Sequence, residues 1–361
     1  MRWQANKAIT KVRRSGIGVT LLVSSALLTS CATSSAALPP PTEATMLRLG
    51  YQANVTAALP LVGVNDGTFQ RALGQTQLKP VVFNAGPAAV EALFAGSIDA
   101  AYLGPVPAIN AFTRSDGQAV RIISGAAGGG VQLVVQPGIT SAAELAGKRV
   151  ATPQLGGTQD VALRYWLKSL GLSAPVTGAG DLSVTPEDNA ASLLLFNQHA
   201  IAGAWVPEPW ASRLVVQGGG QVLVDERALW PGGIFVTTNL VVSTTYLHAH
   251  PQTVNKLLQG ELATLGELTK NPVAATTKIN DALAKLVGKR LDEAVLARAW
   301  GNLTITVDPL AATLRAVASH SVAVGVSRDA NLAGIYDLSL LNTLLRTSGR
   351  PPVSAAGLGK E

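Results

Sequence analysis

The chain has 361 residues, 47% of them apolar and 14% charged, which is enough core material for two domains. Its formal charge is +6, but Arg2, Lys7, Lys11, Arg13 and Arg14 all fall in the first 30 residues, which hold no acid, so the remainder is near neutral. That distribution excludes a basic nucleic-acid-binding face, and the single cysteine excludes a disulfide framework or a thiolate metal cluster.

Residues 1–30 have the layout of a secretory signal, with a basic n-region through Arg14 and an apolar h-region from Gly16 to Leu28. The apolar run is too short for a membrane-spanning helix, which needs about 20 residues. Leu28-Thr29-Ser30-Cys31 resembles a bacterial lipobox, in which the cysteine is acylated and the signal is cut just before it. Cys31 is therefore the expected lipidation site, and the chain is expected at the extracytoplasmic face of the cell membrane, held by a lipid anchor. The alternative is an ordinary signal cut later, for instance after Ala37, with Cys31 discarded. Residues 31–45 read as a flexible tether stiffened by Pro39 to Pro41.

Leu47 to Tyr51 alternates as a strand, followed by a polar loop that carries Gln52, Asn54 and Thr56. Lys79 to Phe83 is a second strand, ending at Asn84-Ala85-Gly86-Pro87, where Pro87 suits a first helical turn. Ile98 to Leu103 is a third strand, Pro107 to Phe112 opens a helix, and Val120 to Ser124 is a further strand. The alternation predicts a mostly parallel sheet covered by helices. A glycine-dense break from Gly125 to Gly130 then leads into a strand from Val131 to Val135. It suits either a plain loop or a hinge whose backbone, at Gly129 and Gly130, approaches a ligand.

Lys148 to Thr152 reads as a strand, and Gly156-Gly157-Thr158-Gln159 leads into a helix with Val161, Tyr165, Trp166 and Leu170 at helical spacing. Gln221 to Val224 is another strand. After Pro231-Gly232-Gly233 comes a β-rich run, Ile234 to Ser243, suited to a return crossing. From Leu247 to Leu345 the pattern is helical, with Val254, Leu257, Leu258, Leu262 and Leu265 in phase. These readings divide the chain into lobe one (46–130), lobe two (131–238), a return to lobe one with C-terminal helices (239–346) and a flexible tail (347–361).

Two stretches echo each other at an offset of 103 residues, setting Ile98 on Ile201, Tyr102 on Trp205 and Pro105 on Glu208. Each reads as helix end, turn, buried strand and a Gly/Pro-rich loop opening the next helix. Loops at the carboxyl ends of such strands are where small ligands dock. One loop from each half places a ligand between two lobes.

Phe83-Asn84-Ala85-Gly86-Pro87, Gly96-x-Ile98-Asp99-Ala100, Leu103-Gly104-x-x-Pro107, Leu145-x-Gly147-Lys148-Arg149-Val150-Ala151 and Gly203-Ala204-Trp205-x-Pro207-x-Pro209 together resemble the periplasmic substrate-binding components of aliphatic sulfonate, taurine and nitrate ABC importers. The resemblance runs from about Leu47 to about Leu265. It implies an α/β, two-lobed type II periplasmic-binding-protein fold with two hinge-crossing strands and a helical C-terminal part. It also implies partners: a small-molecule ligand in the cleft, then an ABC permease with its ATPase. A monomer without cofactor, catalytic residues, metal or nucleic acid is expected.

An anion is held by free N–H groups at helix amino termini, aided by the helix dipole. Gly86 and Pro87, Gly104 and Pro105, and Gly157, Thr158 and Gln159 supply such sites, with Thr158 also able to cap its helix. Gln52, Asn54 and Thr56 add uncharged donors and acceptors, as does Gln132. Glu208 facing the cleft would require a cationic or hydroxyl group on the ligand; otherwise it is a first-turn acid on the helix dipole. Among Trp205, Trp210, Tyr51 and Phe235, Trp210 is the best candidate for a ligand wall. The four histidines lack metal spacing. No nucleophile elbow, phosphate loop or zinc motif is present. The favoured cargo is a sulfonate or taurine-like compound. Nitrate-like anions, a neutral vitamin precursor such as a pyrimidine, an enzyme of cofactor-precursor metabolism and a ligand-sensing subunit are the alternatives.

Overall fold

The computed structural model describes residues 42–177 and 180–361. The signal segment, Cys31 and most of the expected tether lie outside the described residues. In chain order the first sheet begins with β1 (Met46–Gln52), α1 (Ala58–Asn65), α2 (Thr68–Leu73), β2 (Gln77–Phe83), α3 (Gly86–Phe94), β3 (Ala100–Leu103), α4 (Pro105–Arg114) and β4 (Val120–Gly129). The second sheet follows with β5 (Val131–Val135), β6 (Arg149–Thr152), α5 (Thr158–Ser169), β7 (Ser183–Pro186), α6 (Asn189–Asn197), β8 (Gly203–Pro207), α7 (Trp210–Val216) and β9 (Gln221–Asp225). The chain then returns through β10 (Val236–Ser243), α8 (Thr244–Ala249), α9 (Pro251–Lys270), α10 (Pro272–Val287), α11 (Glu293–Gly301), β11 (Leu303–Ile305), α12 (Leu314–Ala323), β12 (Tyr336–Asp337), α13 (Ser339–Thr347) and β13 (Gly359–Lys360).

The first sheet has the order β13-β12-β4-β10-β3-β1-β2, with β11 beside β4, and the second has the order β7-β6-β8-β5-β9. In each, a central strand is flanked by two parallel neighbours: β1 by β2 and β3, β6 by β7 and β8. All residues of β3, β5 and β8 are buried, as expected for strands covered by helices on both faces. The echo extends well beyond the two stretches read from the sequence. β1 and β6 start 103 residues apart, α3 and α6 span Gly86–Phe94 and Asn189–Asn197, and β3 and β8 start at Ala100 and Gly203.

The chain crosses between sheets at Gly129 and Gly130, both at φ +71°, where side chains are disfavoured. A Cβ at Gly130 would lie 2.2 Å from Leu303 Cδ2. The return runs through two short 3-10 turns, Glu226–Leu229 and Pro231–Gly233, before β10 begins at Val236. Antiparallel β10 then lies wholly in the first sheet, between β3 and β4.

Two expectations need correction. Residues 347–361 are not a free tail: β13 pairs parallel with β12, and Ala355 and Leu358 are buried against the first lobe. Pro351, Pro352 and Gly357 erase any local periodicity there, so only tertiary contacts order the segment. Nor is the tether free up to 45. The Thr42 N–H donates to the Ala249 carbonyl and the Ala44 N–H to Thr253 Oγ1. Among the described residues no helix is long and apolar enough to cross a membrane.

Candidate functional site

A cavity of about 50 Å³ lies between the two lobes, at the carboxyl ends of their parallel strands. By the same measure a single water needs about 10–15 Å³, so the space suits a small polar group. The first lobe contributes Gln52, Asn54 and Thr56 after β1, and Gly86 and Gly104 where α3 and α4 start. The second contributes Gly157, Thr158 and Gln159 at the start of α5. Asn84, Gln154, Asn189, Thr237 and Thr238, not singled out from the sequence, complete the wall with Ala85, Pro107, Pro153 and Pro207. No lining residue carries an ionisable side chain.

Four helices therefore point their amino termini at one small space: α3, α4, α5 and α6, of 9, 10, 12 and 9 residues. None of the four has a side-chain N-cap hydrogen bond. Their first-turn N–H groups, which have no partner within the helix, are thus left for solvent or a ligand. Three lining side chains have a buried polar atom without a hydrogen-bond partner among the described residues: Gln52 Nε2, Thr158 Oγ1 and Asn189 Oδ1. Such atoms cost stability unless something else pairs with them.

Local sequence explains the shape. Gly157, not Thr158, is the N-cap of α5, and Thr158 is the first helical residue. Its hydroxyl is thus not spent on capping. Asp160, fully buried, reaches back instead, accepting from the Gly156 N–H at 3.1 Å, Thr152 Oγ1 at 3.2 Å and Arg164 Nε at 3.1 Å. This fixes the loop without placing a charge in the cavity. A Cβ on Gly104 would lie 2.3 Å from Thr158 Oγ1, so glycine is what lets the lobes approach here.

The structure moves six expected site residues away from the cavity lining. Pro87 lines an outer depression beside α4, and Pro105 is buried in the first turn of α4. Gly129 and Gly130 form the crossing, their carbonyls accepting from Thr237 Oγ1 and the Glu208 N–H. Glu208 is fully buried, and its carboxylate accepts from the Ser212 N–H at 3.0 Å, Asn302 Nδ2 at 2.7 Å and Arg298 Nη1 at 3.3 Å. Burial pushes its pKa up against the opposing pull of Asn302, Ser212 and Arg298. It stands one residue before Pro209, the N-cap of α7, outside the first turn where the alternative reading put it, and its carboxylate is taken up by Ser212, Asn302 and Arg298 and does not line the cavity. Trp210 spans the lobes: its Nε1 donates to Asn54 Oδ1 at 2.9 Å, outside the inner space. Gln132 is likewise structural, held between Arg298 and Asp225.

Further ties join the two lobes. Asn84 Nδ2 donates to Asp188 Oδ2 at 3.3 Å, Lys168 Nζ donates to the Ala323 carbonyl at 2.6 Å, and Tyr165 stacks on His320 at 3.6 Å between centroids. The arrangement is a closed one. Trp205 and Tyr51 are buried core residues of separate clusters, and Phe235 shares that of Trp205 and stacks on Trp230. Among the described residues no group of histidine, cysteine or acidic side chains could hold a metal ion.

Residues 40–275 match the NMT1-like family, and the chain belongs to it. Over 128 residues it is 31% identical to a putative binding protein of Brucella abortus, covering 35% of this chain and 37% of that protein. The chain thus spans little more than a third of the length of that curated relative. It is 24% identical over 233 residues to the taurine-binding periplasmic protein of Escherichia coli, covering 64% of this chain and 68% of that one. Among solved structures, the alkanesulfonate-binding protein SsuA from Xanthomonas axonopodis pv. citri, bound to MOPS, superposes with a TM-score of 0.66 at 22% identity. That superposition covers 80% of this chain and 96% of the other, which shows a shared two-lobed fold. All three relatives are named for binding, none for catalysis.

Proposed function

We propose that this protein is an extracytoplasmic solute-binding protein that closes on a small anion, an aliphatic sulfonate or taurine-like compound, and delivers it to an ABC importer. The observation that carries the reading is the meeting of four uncapped helix N-termini, two from each lobe, in a charge-free cavity. Dipoles and N–H groups in a low-dielectric space stabilise an anion without a fixed counter-charge. The names of the E. coli and Xanthomonas relatives, taurine and alkanesulfonate binding, support the ligand class. Binding without chemistry is consistent with a lining of amides, hydroxyls, glycine and proline. The basic and apolar leader and the Leu28-Thr29-Ser30-Cys31 motif support anchoring through a lipid on Cys31 at the outer face of the cell membrane. We further read the protein as a monomer whose partners are the permease and its ATPase.

The uncharged lining also accommodates nitrate-like anions or a neutral pyrimidine-type vitamin precursor, because amides serve both. A thermal-shift screen over methanesulfonate, taurine, nitrate, sulfate and hydroxymethylpyrimidine decides between them, since a ligand specific to the folded form raises Tm with its occupancy. A rise with sulfonates alone is the expected result. A rise with the pyrimidine alone would overturn the sulfonate assignment.

A further inference from the structure

A larger chamber, of about 470 Å³, adjoins the inner cavity and shares Asn54, Asn84 and Asn189 with it. Two side-chain hydrogen bonds, Trp210 to Asn54 and Asn84 to Asp188, join residues that line the chambers where they meet. The chemistry of the chambers differs sharply. The inner one has no charge; the outer one has apolar walls from Phe83, Trp210, Leu283 and Val287, and three cations, Arg213, Lys289 and Arg290, against the single carboxylate of Asp188.

Arg290 is already paired with Asp281. Arg213 donates to Gln217 Oε1 and lies 4.5 Å from the centre of the Trp210 ring, while neither Arg213 nor Lys289 has a carboxylate at ion-pair distance among the described residues. Val82 and Val287, 45% and 59% exposed, leave apolar surface open at the rim. Apolar area next to two unneutralised cations matches a ligand that carries an apolar body and a second anionic group.

We propose that the outer chamber is a second ligand subsite, taking an aromatic or alkyl body that ends in a second acid. The cargo is then a dianion, its small head in the inner cavity and its far acid against Arg213 and Lys289. This assignment rests on the anion reading of the inner cavity. Titration calorimetry of the full chain with methanesulfonate, benzenesulfonate and 4-sulfobenzoate tests it.

The expected result is 4-sulfobenzoate binding about tenfold more tightly than benzenesulfonate, as a charge-assisted contact provides, with the ratio falling to about one in R213Q/K289Q. The single variant K289Q, which leaves the Arg213–Trp210 stack in place, is expected to give an intermediate ratio. Equal affinity of the two aromatic ligands for the unaltered protein would overturn the subsite. So would a ratio that survives the double substitution, because the cations would then act on all anions alike by long-range steering. If methanesulfonate binds normally in either case, the subsite alone fails. Absence of methanesulfonate binding to the unaltered protein would overturn the inner-cavity reading and this assignment with it.

Discussion

Thr158 shows how one side chain can be costly in a closed cleft and useful to a ligand held there. In the closed arrangement its hydroxyl is buried without a partner, so replacing it by valine removes no hydrogen bond that the fold itself makes. Thr158→Val is therefore expected to leave the unliganded Tm unchanged or slightly raised while weakening sulfonate binding about tenfold or more, a charged-acceptor hydrogen bond being the loss. Calorimetry beside a melting curve checks both halves. Gly104 faces it across the cleft; Gly104→Ala puts a methyl 2.3 Å from Thr158 Oγ1 in the closed form only. Overpacking of about 1–3 kcal/mol translates into an affinity loss of about five- to a hundred-and-fiftyfold, with the isolated lobes undisturbed.

Two other residues make stability depend on pH. Glu261 is buried in the first lobe, where Tyr102 OH donates to its Oε1 at 2.8 Å, and burial pushes its pKa up to about 8. Glu226, under the indole N–H groups of Trp205 and Trp230, is pushed by burial up to about 7. Both hold a proton more tightly folded than unfolded. Their contribution is complete below the ordinary value of 4.5 and is lost as pH rises through about 7 and about 8. Tm should fall across that interval, and Glu261→Gln should flatten its upper part. A Tm that rises with pH there, or an unchanged slope in the variant, would contradict the assignment. Such residues were not legible in the sequence. Glu226 and Glu261 carry no local signal of burial, and the partner that encloses Glu261, Tyr102, lies 159 positions away.

Elements were more legible than their endpoints. The 103-residue echo already placed one strand-loop-helix unit in each lobe. Carried upstream, the same offset sets Gly86 on Asn189, the starts of α3 and α6, and both line the cavity. Asn189 was thus within reach of the sequence pattern. Thr237 and Thr238 were not, because β10 reaches the cavity through antiparallel pairing with strands more than a hundred residues earlier. The docked end of the chain was missed for a similar reason: its prolines and glycines carry no period, and its order comes from Leu358 and Ala355 entering the first lobe's core. Burying a leucine contributes about 1.5–3 kcal/mol, so removing residues 354–361 should lower Tm by several degrees with sulfonate affinity nearly intact. Parallel loss of binding would place the segment closer to the site than its contacts indicate.

At the scale of the whole molecule, closure follows from where each lobe's hydrogen-bonding capacity lies. Each lobe contributes two helix N-termini, and neither alone surrounds a ligand. The crossing at Gly129 and Gly130, both at positive φ, and the 3-10 turns from Glu226 to Gly233 are the segments between the sheets, so rotation is placed there and not within a sheet. Ties such as Trp210–Asn54 and Lys168–Ala323 are single hydrogen bonds between the lobes, each worth about 1 kcal/mol. A ligand that satisfies both lobes shifts the population toward the closed form by its differential affinity.

Small-angle scattering of the full chain with and without saturating methanesulfonate tests that claim most directly. The radius of gyration should decrease on binding in the unaltered protein and stay at its ligand-free value in Gly104→Val at the same ligand concentration. Calorimetrically complete binding with no compaction, or compaction undiminished in Gly104→Val, would show that the ligand is not held between the lobes at these helix ends.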